Sequence, residues 1–185
     1  DVRVRWEAAD AVMQIDGINS EKLVFSRLLK DLEDPKAETR EFLASRISYF
    51  GRTRRTDAIT TALINRLHDE NLKVRYAATV GLGEIDPVRF KALIIPRLIE
   101  ILDLNAGKYY QYDAAEICAE LGPAAKEAAP ALIKLINTQQ TDPYTKNRCK
   151  DALKKIGTPE TLAAIQPIEE AEKKRLLNIT MLNGV

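Results

Sequence analysis

The sequence is poor in the residues that carry most enzyme and metal chemistry. Its 185 residues include only two cysteines, Cys118 and Cys149, and one histidine, His68. Two well-separated thiols do not make a disulfide framework, and one imidazole excludes most sites that need several histidines. The chain also lacks an apolar run of the roughly 18 residues that a membrane-spanning helix needs. Disulfide-rich domains, multi-histidine metal sites and membrane spans are therefore not predicted.

Net charge is also nearly absent. The 28 lysines and arginines balance 27 aspartates and glutamates, which leaves a net charge of +1. Nucleic-acid-binding proteins usually carry a basic excess, because each phosphate contact needs a Lys or Arg. A basic cluster in the loop after the second B helix, Arg52-Thr53-Arg54-Arg55, predicts a solvated loop or a partner contact. A nucleic acid is not expected as the partner.

What the chain does have is an internal repeat of about 35 residues. The segment from Val4-Arg5 to Ile15 matches the segment from Val74-Arg75 to Ile85 in length and pattern. Three more segments fit the same frame, at 39–50, 110–121 and 145–156. The apolar residues that close the five copies, at 15, 50, 85, 121 and 156, are spaced 35, 35, 36 and 35 residues apart. Such regularity is typical of stacked structural repeats.

A second helical segment precedes each later copy. Apolar residues at i, i+1 and i+4 define one helix face, and they recur at 28-29-32, 63-64-67, 98-99-102 and 132-133-136. Each unit is therefore predicted to be a helix A, a turn and a helix B. Gly51, Gly122 and Gly157 follow B helices, where a left-handed cap is favoured. Pro96 and Pro130 are expected near the start of an A helix, where a missing amide hydrogen is tolerated or produces a bend.

The predicted fold is all-α, a right-handed α-α superhelix or solenoid of about five stacked helical hairpins. Residues 1–157 are expected to form the solenoid, whose first repeat lacks helix A. Residues 158–185 are expected to form a C-terminal capping helix and tail. In such a solenoid one set of helices, here the B helices, lines the concave side.

These segments resemble HEAT repeats over residues 1–157. In HEAT repeats an Asp of the turn and an Arg early in helix B form hydrogen bonds between neighbouring units. The resemblance implies such pairs for Asp34 with Arg40 and for Asp69 with Arg75. The stretch 121–132 is similar to bacterial HEAT-like repeats, including those named after phycobilisome lyases. Such repeats occur both as free-standing scaffolds and as domains appended to enzymes.

One triplet, His68-Asp69-Glu70, is similar to part of a metal-binding motif. Deoxyhypusine hydroxylases, which are HEAT-repeat enzymes, hold two irons with several His-Glu pairs. Because only one histidine is present and an Asp follows it, the triplet is predicted to be a capped, solvated turn without a metal.

The two cysteines are predicted to pack in the core. Other copies of the repeat place Val12, Ile47, Leu82 and Leu153 in the slot of Cys118, and similarly apolar residues in the slot of Cys149. A buried cysteine behaves as a small hydrophobe, so nucleophilic or bilin-attachment chemistry is not favoured. No catalytic residue and no cofactor are predicted.

The most informative residues are aromatic. Side chains near the start of the B helices fall outside the apolar core slots, and are therefore predicted to line the concave face and to bind a partner: Trp6, Phe42, Tyr76, Tyr109, Tyr112 and Tyr144. The alternative is that several of them pack over the seams between repeats. Carboxylates nearby, at 7, 10, 41, 113, 116 and 151, predict an acidic groove that suits a basic or mixed peptide.

The sequence therefore favours a non-enzymatic scaffold, or an assembly subunit of a multiprotein complex. It is expected to bind protein through the concave face and through its open first repeat, with a larger enzyme complex or a further copy of the chain as the partner. The alternative is a phycobilin-lyase-like protein or an enzyme-appended regulatory HEAT module.

Overall fold

The computed structural model describes residues 1–16, 18–54, 57–103 and 108–182. These residues form ten α-helices and one 3-10 helix, and the described part of the chain contains no strand. The α-helices are α1 (Val2–Asp16), α2 (Ile18–Asp31), α3 (Ala37–Arg54), α4 (Asp57–Arg66), α5 (Leu72–Ile85), α6 (Pro87–Asp103), α7 (Lys108–Leu121), α8 (Ala129–Asn137), α9 (Pro143–Ile156) and α10 (Pro159–Leu182). The 3-10 helix, Gly122–Ala128, joins α7 to α8.

The order of the helices confirms the all-α, helical-repeat prediction. The odd-numbered helices α1, α3, α5, α7 and α9 are the predicted B helices, and α2, α4, α6 and α8 are the predicted A helices. The last helix, α10, lies in the segment expected to follow the repeats. Each B helix coincides with one copy of the 35-residue pattern. None of the described helices is long and apolar enough to cross a membrane.

The helices cluster into two compact units, Asp1–Phe90 and Lys91–Val185. In unit 1, α3 packs against α2, α4 and α5, and α4 also packs against α5. Leu43, Ile47, Leu63 and Leu82 are fully buried between these helices. The B helices α3 and α5 approach each other closely at Gly81. A Cβ at this position would lie only 3.2 Å from the carbonyl oxygen of Ala44. The small residue allows this close packing.

A buried ion pair connects the repeats of unit 1. The guanidinium of Arg40, at the start of α3, donates from Nε and Nη2 to the two carboxylate oxygens of Asp69, each at 2.8 Å. Asp69 lies in the turn before α5, one repeat further along. The Nη1 of Arg40 donates to the backbone oxygens of Asp34 and Pro35 in its own turn. One arginine therefore ties two successive turns together.

This geometry corrects the pairing that the resemblance implied. Arg40 contacts Asp34 only through the backbone oxygen, and Arg75 likewise donates to the backbone oxygens of Asp69 and Glu70. The carboxylate of Asp69 belongs to Arg40 of the preceding repeat. The Arg40 side chain is long enough for Nε and Nη2 to reach the turn of the next repeat. Because a guanidinium has five N–H groups, Nη1 can also donate to the turn of its own repeat.

In unit 2, α9 is the central helix. It packs against α7, α8, α10 and the 3-10 helix. Its start is capped by Asp142, whose carboxylate accepts from the backbone N–H groups of Tyr144 and Thr145. A hydrogen bond from the Thr145 hydroxyl, at 2.6 Å, is the main reason that the pKa of Asp142 is lowered. Gly157 ends the helix in the left-handed conformation, with φ of 70°.

Two local expectations differ from the structure. Gly122 and Gly157 have positive φ as predicted, but Gly51 lies inside α3, which continues to Arg54. Pro96, expected near the start of an A helix, lies inside α6. That helix begins at Pro87, where the side chain of Asp86 accepts from the backbone N–H of Arg89. Because Asp86 caps α6, the helix begins well before Pro96, whereas the sequence placed its start close to that proline.

Candidate functional site

Two of the predicted aromatic residues form a cluster in unit 1. The rings of Trp6, on α1, and Phe42, on α3, meet edge to face with centroids 6.4 Å apart and an interplanar angle of 89°. Both side chains are half-buried. The guanidiniums of Arg3 and Arg46 lie 5.9 and 5.8 Å from the centroid of the Phe42 ring, within cation–π range. Trp6 and Phe42 therefore contact each other across neighbouring B helices, which fits the seam-packing alternative in part.

The prediction that Tyr76 lines an exposed face is wrong. Its side chain is only 1% exposed. Ten of the 14 residues of α5 are buried, because this helix packs against both α3 and α4 and approaches α3 closely at Gly81. Tyr76 belongs to the core of unit 1 and is removed from the set of partner-binding residues.

Two tyrosines of unit 2 are strongly exposed. Tyr109 and Tyr144 are each 76% exposed, and they lie 35 residues apart in the first turns of α7 and α9, which pack against each other. The ammonium group of Lys108 lies 5.3 Å from the centroid of the Tyr109 ring. Large aromatic side chains exposed at repeated positions are features of protein-binding surfaces.

Tyr112 lies beside them and connects α7 to α9. Its hydroxyl accepts a 2.8 Å hydrogen bond from Nε of Arg148, whose guanidinium carbon is also 5.2 Å from the ring centroid. Nη2 of Arg148 lies 3.5 Å from Oε1 of Glu116. The hydrogen bond with Tyr112, together with the charge of Glu116, raises the pKa of Arg148. These contacts fix the relative position of the two helices.

We call the surface formed by Tyr109, Tyr112, Tyr144 and Arg148 the tyrosine face. The sequence indicated its three tyrosines but missed Arg148, which holds Tyr112 in place. The available signal was the repeat itself, because Arg148 follows Tyr112 by 36 residues and so falls next to it on the neighbouring B helix.

The acidic character expected around these residues is reduced by ion pairs in unit 2. Glu116 is paired with Arg148, and Asp151 is paired with Lys155 at 2.9 Å. Paired carboxylates contribute little net field at the surface. These two pairs concern only Glu116 and Asp151 among the six carboxylates, so the acidic groove stays a prediction.

Both cysteines are buried in unit 2, as the repeat slots predicted. Burial raises the pKa of each thiol to about 12, and the neighbouring Cys149 adds to the effect on Cys118. At pH 8 a thiol with that pKa is a thiolate in only about one molecule in ten thousand.

We expect both cysteines to be unreactive in the folded protein. Ellman's reagent at pH 8 should modify neither thiol of Cys118 and Cys149 within minutes, and should modify both once guanidinium chloride unfolds the chain. Rapid modification of one thiol in the native protein would contradict its burial.

His68 does not form a metal site with its neighbours. Its side chain is exposed, whereas the adjacent Asp69 is buried and fully engaged by Arg40. Among the described residues, no group of three or more His, Cys, Asp and Glu side chains could hold a metal ion. The residues around His68 therefore do not fit a di-iron centre, which needs several ligands.

No family model matches the chain, and no curated protein sequence matches it. Among solved structures, it is similar to human deoxyhypusine hydroxylase in complex with glycerol, with 16% sequence identity and a TM-score of 0.39. The similarity covers 90% of this chain and 84% of the hydroxylase chain. A likeness at this level transfers no activity or ligand from that protein.

The prediction of a non-enzymatic scaffold is corrected by this finding. The solved structure is that of an enzyme, and stacked helical repeats serve enzymes as well as scaffolds, since fold does not determine function.

Proposed function

We propose that this chain is a HEAT-type regulatory module of an enzyme, and that it binds the catalytic part of that enzyme through the tyrosine face. The observation that carries the proposal is the equal, 76% exposure of Tyr109 and Tyr144 at equivalent positions of two packed helices. A single exposed aromatic residue is unremarkable on a protein surface. Two at the same register position on adjacent helices offer a partner more than one aromatic ring to cover.

The physical basis of binding is the burial of two rigid rings. A tyrosine has few rotatable bonds, so it loses little conformational entropy when a partner covers it. Covering the exposed part of each ring removes on the order of 100 Å² of surface, which contributes about 2 kcal/mol per tyrosine. Arg148 and Tyr112 already hold each other, so these two side chains of the tyrosine face need no reordering on binding.

The regulatory part of the proposal follows from linkage. If the module binds one conformation of the catalytic part better than another, it shifts the enzyme toward that conformation, and substrate changes the affinity of the module by the same factor. The effect on substrate affinity cannot exceed the differential affinity of the module for the two conformations.

The test compares the parent chain with a Tyr109→Ser/Tyr144→Ser variant. Each protein, purified with a tag, is used to isolate its binding partner from its own source, and the partner is assayed for enzyme activity with and without the added chain. We expect the parent to retain an enzyme and to change its kcat/KM, and the variant to bind at least tenfold more weakly.

The control is Leu162→Ser, which changes a residue of α10 that is 45% exposed and lies outside the tyrosine face. It should behave like the parent. Both variants should keep the parent's helicity, because none of the three side chains is buried. A partner that binds the double variant as tightly as the parent, or whose activity the chain never alters, would sink the proposal.

A further inference from the structure

We infer that the second half of α10, residues 168–182, is a releasable strap, which ion pairs hold against α9 and which salt sets free. The inference goes beyond the proposed function, because it concerns a conformational change of the chain itself. Burial, the position of a proline and the contacts with α9 each support it.

The two halves of α10 are buried to different extents. In the first half, Thr161 and Ile165 are 0% and 2% exposed, where the helix packs against α9 and α8. In the second half, no side chain that the structure describes, at 168–175, 177 and 178, is buried, and Leu177 is 56% exposed. Among these described residues, burial therefore holds only the first half of the helix in place.

A proline separates the two halves. Pro167 lies inside α10, and a proline has no backbone N–H, so it removes one hydrogen bond from the helix and crowds the carbonyl group four residues earlier. Helices bend at such positions. The second half can therefore leave α9 while the first half stays packed.

Two ion pairs connect the strap to α9. Nζ of Lys150 donates to both carboxylate oxygens of Glu172, at 2.8 and 2.6 Å. Nζ of Lys154 donates to Oε1 of Glu169 at 3.2 Å. Residues three or four positions apart share one face of a helix, so the two lysines form one basic face of α9 and the two glutamates one acidic face of the strap. Opposite charges on two facing surfaces therefore hold the strap.

These contacts are of the kind that salt weakens. The four side chains are between 22% and 64% exposed, and exposed ion pairs contribute little to stability. Salt shortens the range of such an attraction from about 8 Å at 0.15 M to about 3 Å at 1 M. Once released, the strap is a short isolated helix, and helices below about 15 residues are marginal in water. Salt should therefore undock the strap, let it unfold and uncover Lys150 and Lys154.

Hydrogen–deuterium exchange of the full chain, followed by mass spectrometry, tests the inference. Between about 0.05 and 1 M NaCl, the backbone amides of residues 169–175 should come to exchange about tenfold faster, as expected when weak ion pairs hold a segment that opens locally. The amides of Thr161, Ile165 and α9 should change by less than about twofold, because burial holds those parts of unit 2.

Variants separate the ion pairs from other causes. Glu169→Gln/Glu172→Gln should exchange rapidly at both salt concentrations, because both lysines lose their partners. The matched control is Glu170→Gln, since Glu170 accepts from Nε2 of Gln166 on α10 itself at 2.9 Å; it should behave like the parent. Lys150→Glu should release the strap, and Lys150→Glu/Glu172→Lys should restore salt-sensitive protection, because the exchanged charges attract again.

Three results would overturn the inference. Exchange at 169–175 that is equal in low salt, in high salt and in the double glutamine variant would show that other contacts hold the second half of α10. If salt accelerates exchange at Thr161, Ile165 and α9 as much as at 169–175, unit 2 opens as a whole and contains no strap. A charge-exchanged variant that stays unprotected would show that attraction between the two helices is not what holds them together.

Discussion

Replacing Asp69 by Ala is expected to lower the free energy of unfolding by about 3–5 kcal/mol. The Asp69 side chain is 2% exposed and that of Arg40 is 6% exposed. Removing the carboxylate leaves the Arg40 guanidinium buried with its two charged hydrogen bonds lost. Asp69 also accepts from the backbone N–H of Asn71 and is 3.3 Å from Nη1 of Arg66, so the turn before α5 loses its organising group as well.

The matched control is Asp34→Ala, at the equivalent position of the preceding repeat. The Asp34 carboxylate accepts from the backbone N–H of Lys36 at 2.8 Å, and Arg40 reaches only its backbone oxygen. Its replacement should cost about 1 kcal/mol, as the loss of a turn or cap hydrogen bond does. Urea unfolding followed by circular dichroism measures both variants, and equal losses would show that the buried pair has no special role.

The same pair sets the direction of an acid dependence. Burial by itself raises the pKa of the Asp69 carboxyl, but the hydrogen bonds from Arg40 and Asn71 and the charges of Arg40 and Arg66 outweigh it, so the pKa lies below its ordinary value. A carboxyl with a lowered folded-state pKa stabilises the protein above its unfolded pKa of about 3.9, and that stability is lost as pH falls through the folded value. The stability difference between the parent and Asp69→Asn should therefore be larger at pH 7 than at pH 3.

Most of the fold was predictable because a repeat multiplies a weak local signal. One copy of the pattern around Arg75 would not distinguish a buried helix from an exposed one, but five copies 35 or 36 residues apart define the helices and their order. The limits of individual helices were less predictable. Gly51 and Pro96 are residues that usually interrupt helices, yet they lie inside α3 and α6 because packing and the cap at Asp86 prevail.

The candidate site was only partly predictable, because exposure depends on neighbouring helices. Tyr76 and Tyr112 occupy the same slot in successive copies, one residue after the Arg position. Tyr76 is covered because α5 packs against both α3 and α4, whereas Tyr112 remains half-exposed and accepts from Arg148. The partner of Asp69 was misassigned for a similar reason, since sequence spacing does not show which of two turns a long arginine side chain reaches.

Because burial depends on neighbouring helices, residues in the same slot of the repeat should contribute very different amounts to the free energy of unfolding. Leu82→Ala is expected to lower the free energy of unfolding by about 2–5 kcal/mol, because Leu82 is fully buried and its removal leaves a cavity in unit 1. Val12 occupies the same slot in the first copy but is 42% exposed. Val12→Ala should therefore cost less than about 1 kcal/mol.

Leu153→Ala, in the same slot of α9 and also fully buried, extends the comparison to unit 2. Chemical unfolding of the three variants tests whether the loss of stability depends on burial by neighbouring helices or is the same in every copy of the slot. If burial by neighbouring helices decides the effect, Leu82→Ala and Leu153→Ala will both be strongly destabilised and Val12→Ala will not. If Val12→Ala loses as much stability as Leu82→Ala, another surface covers the outer side of α1 in solution. That surface would then also cover Val4, which is 63% exposed here.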